Sequence, residues 1–276
     1  MPVIAVINRK GGSGKSTLAT HLAAWLAREG LPVLLGDSDS QQSSKAWLKR
    51  RDAALPAIVP WTMGQQTLKM PPGITHVVQD TPGALHGFEL AKVIMSADAV
   101  VMPVCSSMFD REAAAACYAE LMTLPRVTSG RCKIGVVGMR VDARTHSAQV
   151  LRDWADGLQI PFLGVLRETQ NYVRSLENGM TVFDLPQDSH TTDRAQWEPI
   201  LQWLRPIVQL ATPTPVVAPP VATLQLAVKP ITPVDEPERI HTALAASLIP
   251  AQETFVHGDR LSLCERSAIP AFLLRH

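Results

Sequence analysis

Five apolar residues, Val3-Ile4-Ala5-Val6-Ile7, run into Asn8-Arg9-Lys10-Gly11-Gly12-Ser13-Gly14-Lys15-Ser16-Thr17, and from there into a segment of helical period with Leu18, Leu22, Trp25 and Leu26 on one face. A buried strand, a glycine-rich loop and a helix in immediate succession confine the chain to few folds. Gly11, Gly12 and Gly14 let the backbone take conformations that a β-carbon opposes. The helix that follows points its unpaired amides back into the loop, and the concavity so made suits a triphosphate. In such a loop Lys15 reaches the β and γ oxygens of ATP and the Ser16 hydroxyl is a ligand of Mg2+, so Gly11 to Thr17 is the expected phosphate cradle. The first helix should run from Lys15 to Glu29 and stop at Gly30-Leu31-Pro32.

The same alternation continues. Short Val- and Ile-rich runs predict strands at Val3 to Ile7, Val33 to Leu35, His76 to Gln79, Ala99 to Val104, Ile134 to Val137 and Phe162 to Val165. Segments of helical period predict helices over 41–53, 88–96, 110–123, 145–157, 169–178 and 192–210. This is the pattern of an α/β fold, a mostly parallel twisted sheet flanked by helices, over residues 1–210. After Leu210 seven prolines, from Pro213 to Pro237, interrupt everything regular, so 211–240 reads as a Pro-rich linker. Residues 241–276 read as a short, loosely ordered tail with one helical stretch from His241 to Ile249.

Charge and cysteine usage narrow the setting. Twenty-six basic against 25 acidic side chains leave a net charge of +1, so nucleic acid or an anionic membrane would have to be met by a local patch. Cys105, Cys117, Cys132 and Cys264 form no CxxC pair, and no histidines stand at metal-ligand spacing, as expected of reduced thiols in a cytoplasmic protein. No leader with a cleavage site and no apolar run long enough to cross a bilayer is visible.

Magnesium needs further oxygen donors from strand ends. Asp80 closes the run His76-Val77-Val78-Gln79-Asp80 and is followed by Thr81-Pro82-Gly83, whose glycine amide could sense a γ-phosphate. The second strand leads into Leu35-Gly36-Asp37-Ser38-Asp39, which puts two more carboxylates on the carboxyl edge of the sheet, where open α/β sheets bind ligands.

Together, Lys10-Gly11-Gly12-Ser13-Gly14-Lys15-Ser16, Asp37-Ser38-Asp39-Ser40-Gln41 and Asp80-Thr81-Pro82-Gly83 resemble the ParA/MinD group of deviant P-loop ATPases, and within it the ParA-like partition proteins. The distinguishing residue is Lys10, the additional lysine before the glycines. The resemblance implies that Lys10 reaches across a nucleotide-sandwich homodimer to the phosphates of the opposite subunit, where a second cation stabilises the transition state. It implies that Asp39 positions the hydrolytic water, that Asp37 supports magnesium and that Asp80 is the acid that holds it. It also implies that Gly138 to Thr145, with Met139 and Arg140, closes over the adenine. Two positions depart from the family pattern: Ser40 stands where a proline is usual, and Met139 where asparagine is frequent.

ParA-like dimers hold nucleoid DNA without sequence preference, and a ParB-like or other cargo adaptor stimulates their hydrolysis. Between 131 and 174 this chain has seven basic residues, among them Arg144, Arg167 and Arg174, against four acidic ones, and these three arginines are the expected DNA contacts. No helix-turn-helix precedes the phosphate loop. The leading expectation is thus a nucleoid-associated positioning ATPase with weak intrinsic activity. A MinD-like membrane-associated relative is the alternative, which the short tail Ser267 to His276, with Pro270 and no basic face, disfavours. An iron–sulfur relative would carry a cysteine between Asp80 and Gly87, where this chain has none.

Overall fold

The computed structural model describes residues 1–62, 71–142, 144–186 and 190–209. Seven strands, β1 (Val3–Val6), β2 (Val33–Asp37), β3 (Ile58–Thr62), β4 (His76–Asp80), β5 (Ala99–Val104), β6 (Lys133–Val141) and β7 (Phe162–Arg167), form one sheet in the order β3-β2-β4-β1-β5-β6-β7. Every pair is parallel. The helices are α1 (Lys15–Arg28), α2 (Ser43–Leu48), α3 (Gly87–Ser96), α4 (Met108–Leu121), α5 (Pro125–Thr128), α6 (Ser147–Gly157), α7 (Gln170–Glu177) and α8 (Thr191–Gln209). The fold class expected from the alternation of runs is the one found.

The central strands β1, β2 and β5 are buried along their whole length, which is why they read as unbroken apolar runs. One face of the sheet is covered by α1, α2, α7 and α8 around Leu22, Leu26, Trp47 and Trp197, and the other by α3, α4, α5 and α6 around Leu90, Ile94, Leu121 and Leu151. Burial on this scale, at about 25 cal/mol per Å² of apolar surface, is the main stabilising term.

Two elements were not expected. β3 contains Pro60, which weakens a strand reading, but β3 pairs only with β2 and lies at the sheet edge, where a missing N–H donor is tolerated. The four residues of α5 are too few for a helical period to show. The helix expected over 41–53 is shorter, and β2 and β4 extend to Asp37 and Asp80, so that both carboxylates belong to strand ends. Leu210, the linker over 211–240 and the tail over 241–276, including its helical stretch, lie outside the described residues.

Candidate functional site

β1 lies between β4 and β5, so the loop that leaves it opens at the middle of the sheet's carboxyl edge. Gly12 (φ 74°) and Gly14 (φ 98°) are both left-handed. At Gly14 this backbone strains any side chain, and a β-carbon would also lie 2.7 Å from Cε of Met139, whose flexible end would have to shift. Around Gly11 and Gly12 a β-carbon would meet nothing within 4 Å, which leaves the outer side of the loop open as a cradle. Ser13 is 1% exposed and its Oγ has no hydrogen-bond partner. Lys15 is buried, and its ammonium donates to the Lys10 carbonyl at 3.1 Å. Burial lowers the Lys15 pKa, while the Asp80 and Asp39 carboxylates oppose the shift. An orphaned buried hydroxyl and an inward-turned ammonium beside a helix N-terminus fit a phosphate chain.

The acids occupy the two strands on one side of β1. Asp37 and Asp80 are direct cross-strand partners at the ends of β2 and β4. Asp80 is 1% exposed; its Oδ2 accepts from the Ser44 hydroxyl at 2.6 Å and its Oδ1 has no partner. Burial pushes its pKa up to about 6, against the hydrogen bonds from Ser44 and Ser16 and with the nearby Asp37 adding to the rise. A buried carboxylate short of compensation, with the Ser16 hydroxyl beside it, is suited to a hard cation. Asp37 accepts from the backbone N–H groups of Asp39 (3.1 Å) and Lys45 (3.0 Å), which fixes the turn after β2 and caps α2. Asp39 is half-buried, with its Oδ1 accepting from the Gln41 amide at 3.0 Å. Among the described residues no group of three or more His, Cys, Asp or Glu side chains forms a ready-made metal cage.

Loop 81–84, which leaves β4 directly after Asp80, is tied to the end of β1 and to the start of the phosphate loop. The Thr81 hydroxyl donates to the Val6 carbonyl (2.7 Å) and the Ala84 amide to the Arg9 carbonyl (2.7 Å), so that Gly83 packs beside the Arg9–Gly11 backbone at ordinary contact distance. Lys10 turns away from this cluster. Its Nζ pairs with Asp110 Oδ1 on α4 at 3.1 Å.

Met139 is buried against Gly14, under the phosphate loop, and Arg140 is exposed with a left-handed backbone (φ 52°) at a β-bulge between β6 and β7. Arg144 and Arg167 share a recess of about 380 Å³ with Asp142 and Glu168. Arg144 pairs with Asp142 at 2.8 Å, and Arg167 pairs at 2.6 Å with Asp193, whose side chain is fully buried. Arg174 stands exposed on α7, apart from both.

Three residues were missed. Ser44 orients Asp80, but a serine at a helix start reads only as a cap. Asp110 sits in a Ser107-Met108-Phe109-Asp110 capping box, the Ser107 hydroxyl accepting from the Asp110 amide (3.2 Å) and bonding its carboxylate, so its second role as the Lys10 partner is invisible in one dimension. His21 is fully buried: Nδ1 meets the Thr17 carbonyl (2.7 Å), Nε2 accepts from the Val182 amide (3.3 Å), and the ring stacks on Trp197 at 5.1 Å. Burial lowers its pKa to about 4, so the ring is neutral at ordinary pH.

A seven-stranded parallel sheet with a glycine loop and two acids at its central carboxyl edge defines a P-loop nucleotide-binding protein. A family model described as "CobQ/CobB/MinD/ParA nucleotide binding domain" matches residues 4–182, and the chain belongs to that family. A "Maintenance of carboxysome distribution protein A" from Halothiobacillus neapolitanus is 29% identical over 189 residues, covering 66% of this chain and 87% of the relative. One of the same description from Gloeobacter kilaueensis is 41% identical over 115 residues, covering 39% of this chain and only 51%, about half, of the relative's length. Among solved structures, an ATP complex of a Cyanothece McdA variant superposes with a TM-score of 0.54 at 17% identity, covering 72% of this chain and 96% of the other; this likeness shows the fold.

Proposed function

We propose that the chain is a magnesium-dependent positioning ATPase that pairs on ATP, rides on DNA without sequence preference and moves a large cargo through an adaptor protein that stimulates hydrolysis. The observation that carries it is the division of labour between two lysines on one loop: Lys15 buried inside the cradle, Lys10 directed out of it. A nucleotide held by one protomer leaves the outward lysine for the phosphates of the other. ATP supplies the anhydride and magnesium its usual charge neutralisation; Ser16 and Asp80 are the residues that would hold the ion, with Asp37 bracing the turn beside it. Gly11, Gly12, Ser13, Gly14, Lys15, Ser16 and Thr17 bind and orient the phosphates, and Asp39 aligns the attacking water. The relatives named for carboxysome distribution support a protein assembly as cargo, and the ParA-like motifs support DNA as track.

Light scattering on the full chain with magnesium and a non-hydrolysable ATP analogue tests the pairing. A dimer that appears only with nucleotide and is lost in Lys10→Ala is expected; a persistent monomer refutes the reading. In cells, a fluorescent fusion should form gradients or foci over the nucleoid that Lys15→Ala disperses.

A further inference from the structure

We propose that Asp110 is the resting partner of Lys10: it holds the outward lysine on its own protomer and releases it when nucleotide enters the same protomer's loop. The inference rests on the pairing reading above and adds a control element to it.

Three observations place the device. The main chain of Lys10 is pinned from both sides, its N–H donating to Asn8 Oδ1 (3.0 Å) and its carbonyl accepting from Lys15 Nζ (3.1 Å). Asn8 is fully buried and bonded in turn to the Pro103 carbonyl (2.6 Å), which ties the exit of β1 to that of β5, just ahead of α4. Second, the receptor is ordered: Asp110 is 8% exposed, its Oδ2 is engaged by Ser107 and its Oδ1 is left for Lys10. Third, the Lys10 side chain keeps 37% of its surface in solvent, so it is not locked in the core and its ammonium has an open path away from Asp110.

The coupling follows from Lys15. In this structure its ammonium sits on the Lys10 carbonyl. A lysine that turns to a phosphate gives up that carbonyl, and with it one of the two bonds that fix the Lys10 backbone. Nucleotide in a protomer's own loop thus loosens the lysine that the opposite protomer needs. Asp110 sets the threshold, because the lysine must leave a carboxylate before it can be shared.

A partly exposed ion pair restrains its lysine by a factor of about three to five. A two-fold dimer uses two such lysines, so the factor enters twice. Asp110→Asn keeps an oxygen for the Ser107 hydroxyl and removes the charge, and it should lower the dissociation constant of the nucleotide-bound dimer by about ten- to 25-fold, measured by sedimentation velocity of the full chain with magnesium and AMP-PNP. Ser107→Ala, which loosens the start of α4 but leaves the Lys10 pair, should not tighten the dimer. Asp110→Asn dimerising like wild type, or more weakly while still folded by circular dichroism, overturns the latch. A wild-type chain that never dimerises, or does so equally well as Lys10→Ala, overturns the pairing reading instead.

Discussion

Asp80 offers a direct test of the site's electrostatics without any ligand. Its carboxyl belongs near 3.8 in the unfolded chain and is pushed up to about 6 in the fold, chiefly by burial. The folded state therefore holds its proton more tightly, and stability falls as pH rises through the window between the two values. Two pKa units correspond to about 3 kcal/mol, of which about 2 kcal/mol falls between pH 4.5 and 7.5. His21 acts in the opposite sense: its pKa drops from 6.5 to about 4, so the folded state resists protonation and stability rises with pH, by about 2.5 kcal/mol over the same interval. The two slopes nearly cancel in the wild-type chain, whose own curve is thus a poor witness. Asp80→Asn removes one of them. Urea unfolding of both proteins, free of nucleotide and magnesium, should show the variant gaining about 2 kcal/mol on the wild type from pH 4.5 to 7.5, whatever constant offset the amide introduces. Parallel curves, within about 0.5 kcal/mol at every pH, would refute the claim that a buried, under-compensated carboxylate waits in this site.

Other outcomes follow from local geometry. Gln42 precedes α2 with a left-handed backbone (φ 49°), and Gln42→Gly should raise the unfolding free energy in urea by about 0.5–1 kcal/mol; a lower value would show that its contact with Lys45 matters more. Gly179 is left-handed (φ 68°), and a β-carbon there would lie 2.3 Å from the Arg50 carbonyl carbon, so Gly179→Ala should cost more than about 2 kcal/mol in the same assay. Arg174→Glu should weaken ATP-dependent retention on DNA in a low-salt filter assay while leaving the melting temperature unchanged. Arg167→Glu would set a second carboxylate against the buried Asp193 and should instead lower the melting temperature by about 5 °C or more.

How much was legible depended on whether the informative residues lie close together in the chain. The phosphate loop is a contiguous segment with one steric solution, so its place and conformation could be read directly. The central strands were legible because burial on both faces keeps most of their residues apolar, with the polar ones gathered at the ends, whereas the edge strand β3 hides behind Pro60. The acids announced themselves as ends of apolar runs. Their partners did not: Ser44 lies 36 positions before Asp80 and Asp110 lies 100 positions after Lys10, and nothing local marks either pair. The partner of Arg167 was hidden for the same reason, since the carboxylate that holds it arrives 26 residues later on α8.

The imidazole wedged between the phosphate-loop helix and Trp197 has a mechanical consequence. Its Nδ1 is committed within α1 to Thr17, its Nε2 takes the Val182 amide and its uncharged ring stacks on Trp197, so α1 is held both to the segment after α7 and to α8 by contacts that do not titrate at ordinary pH.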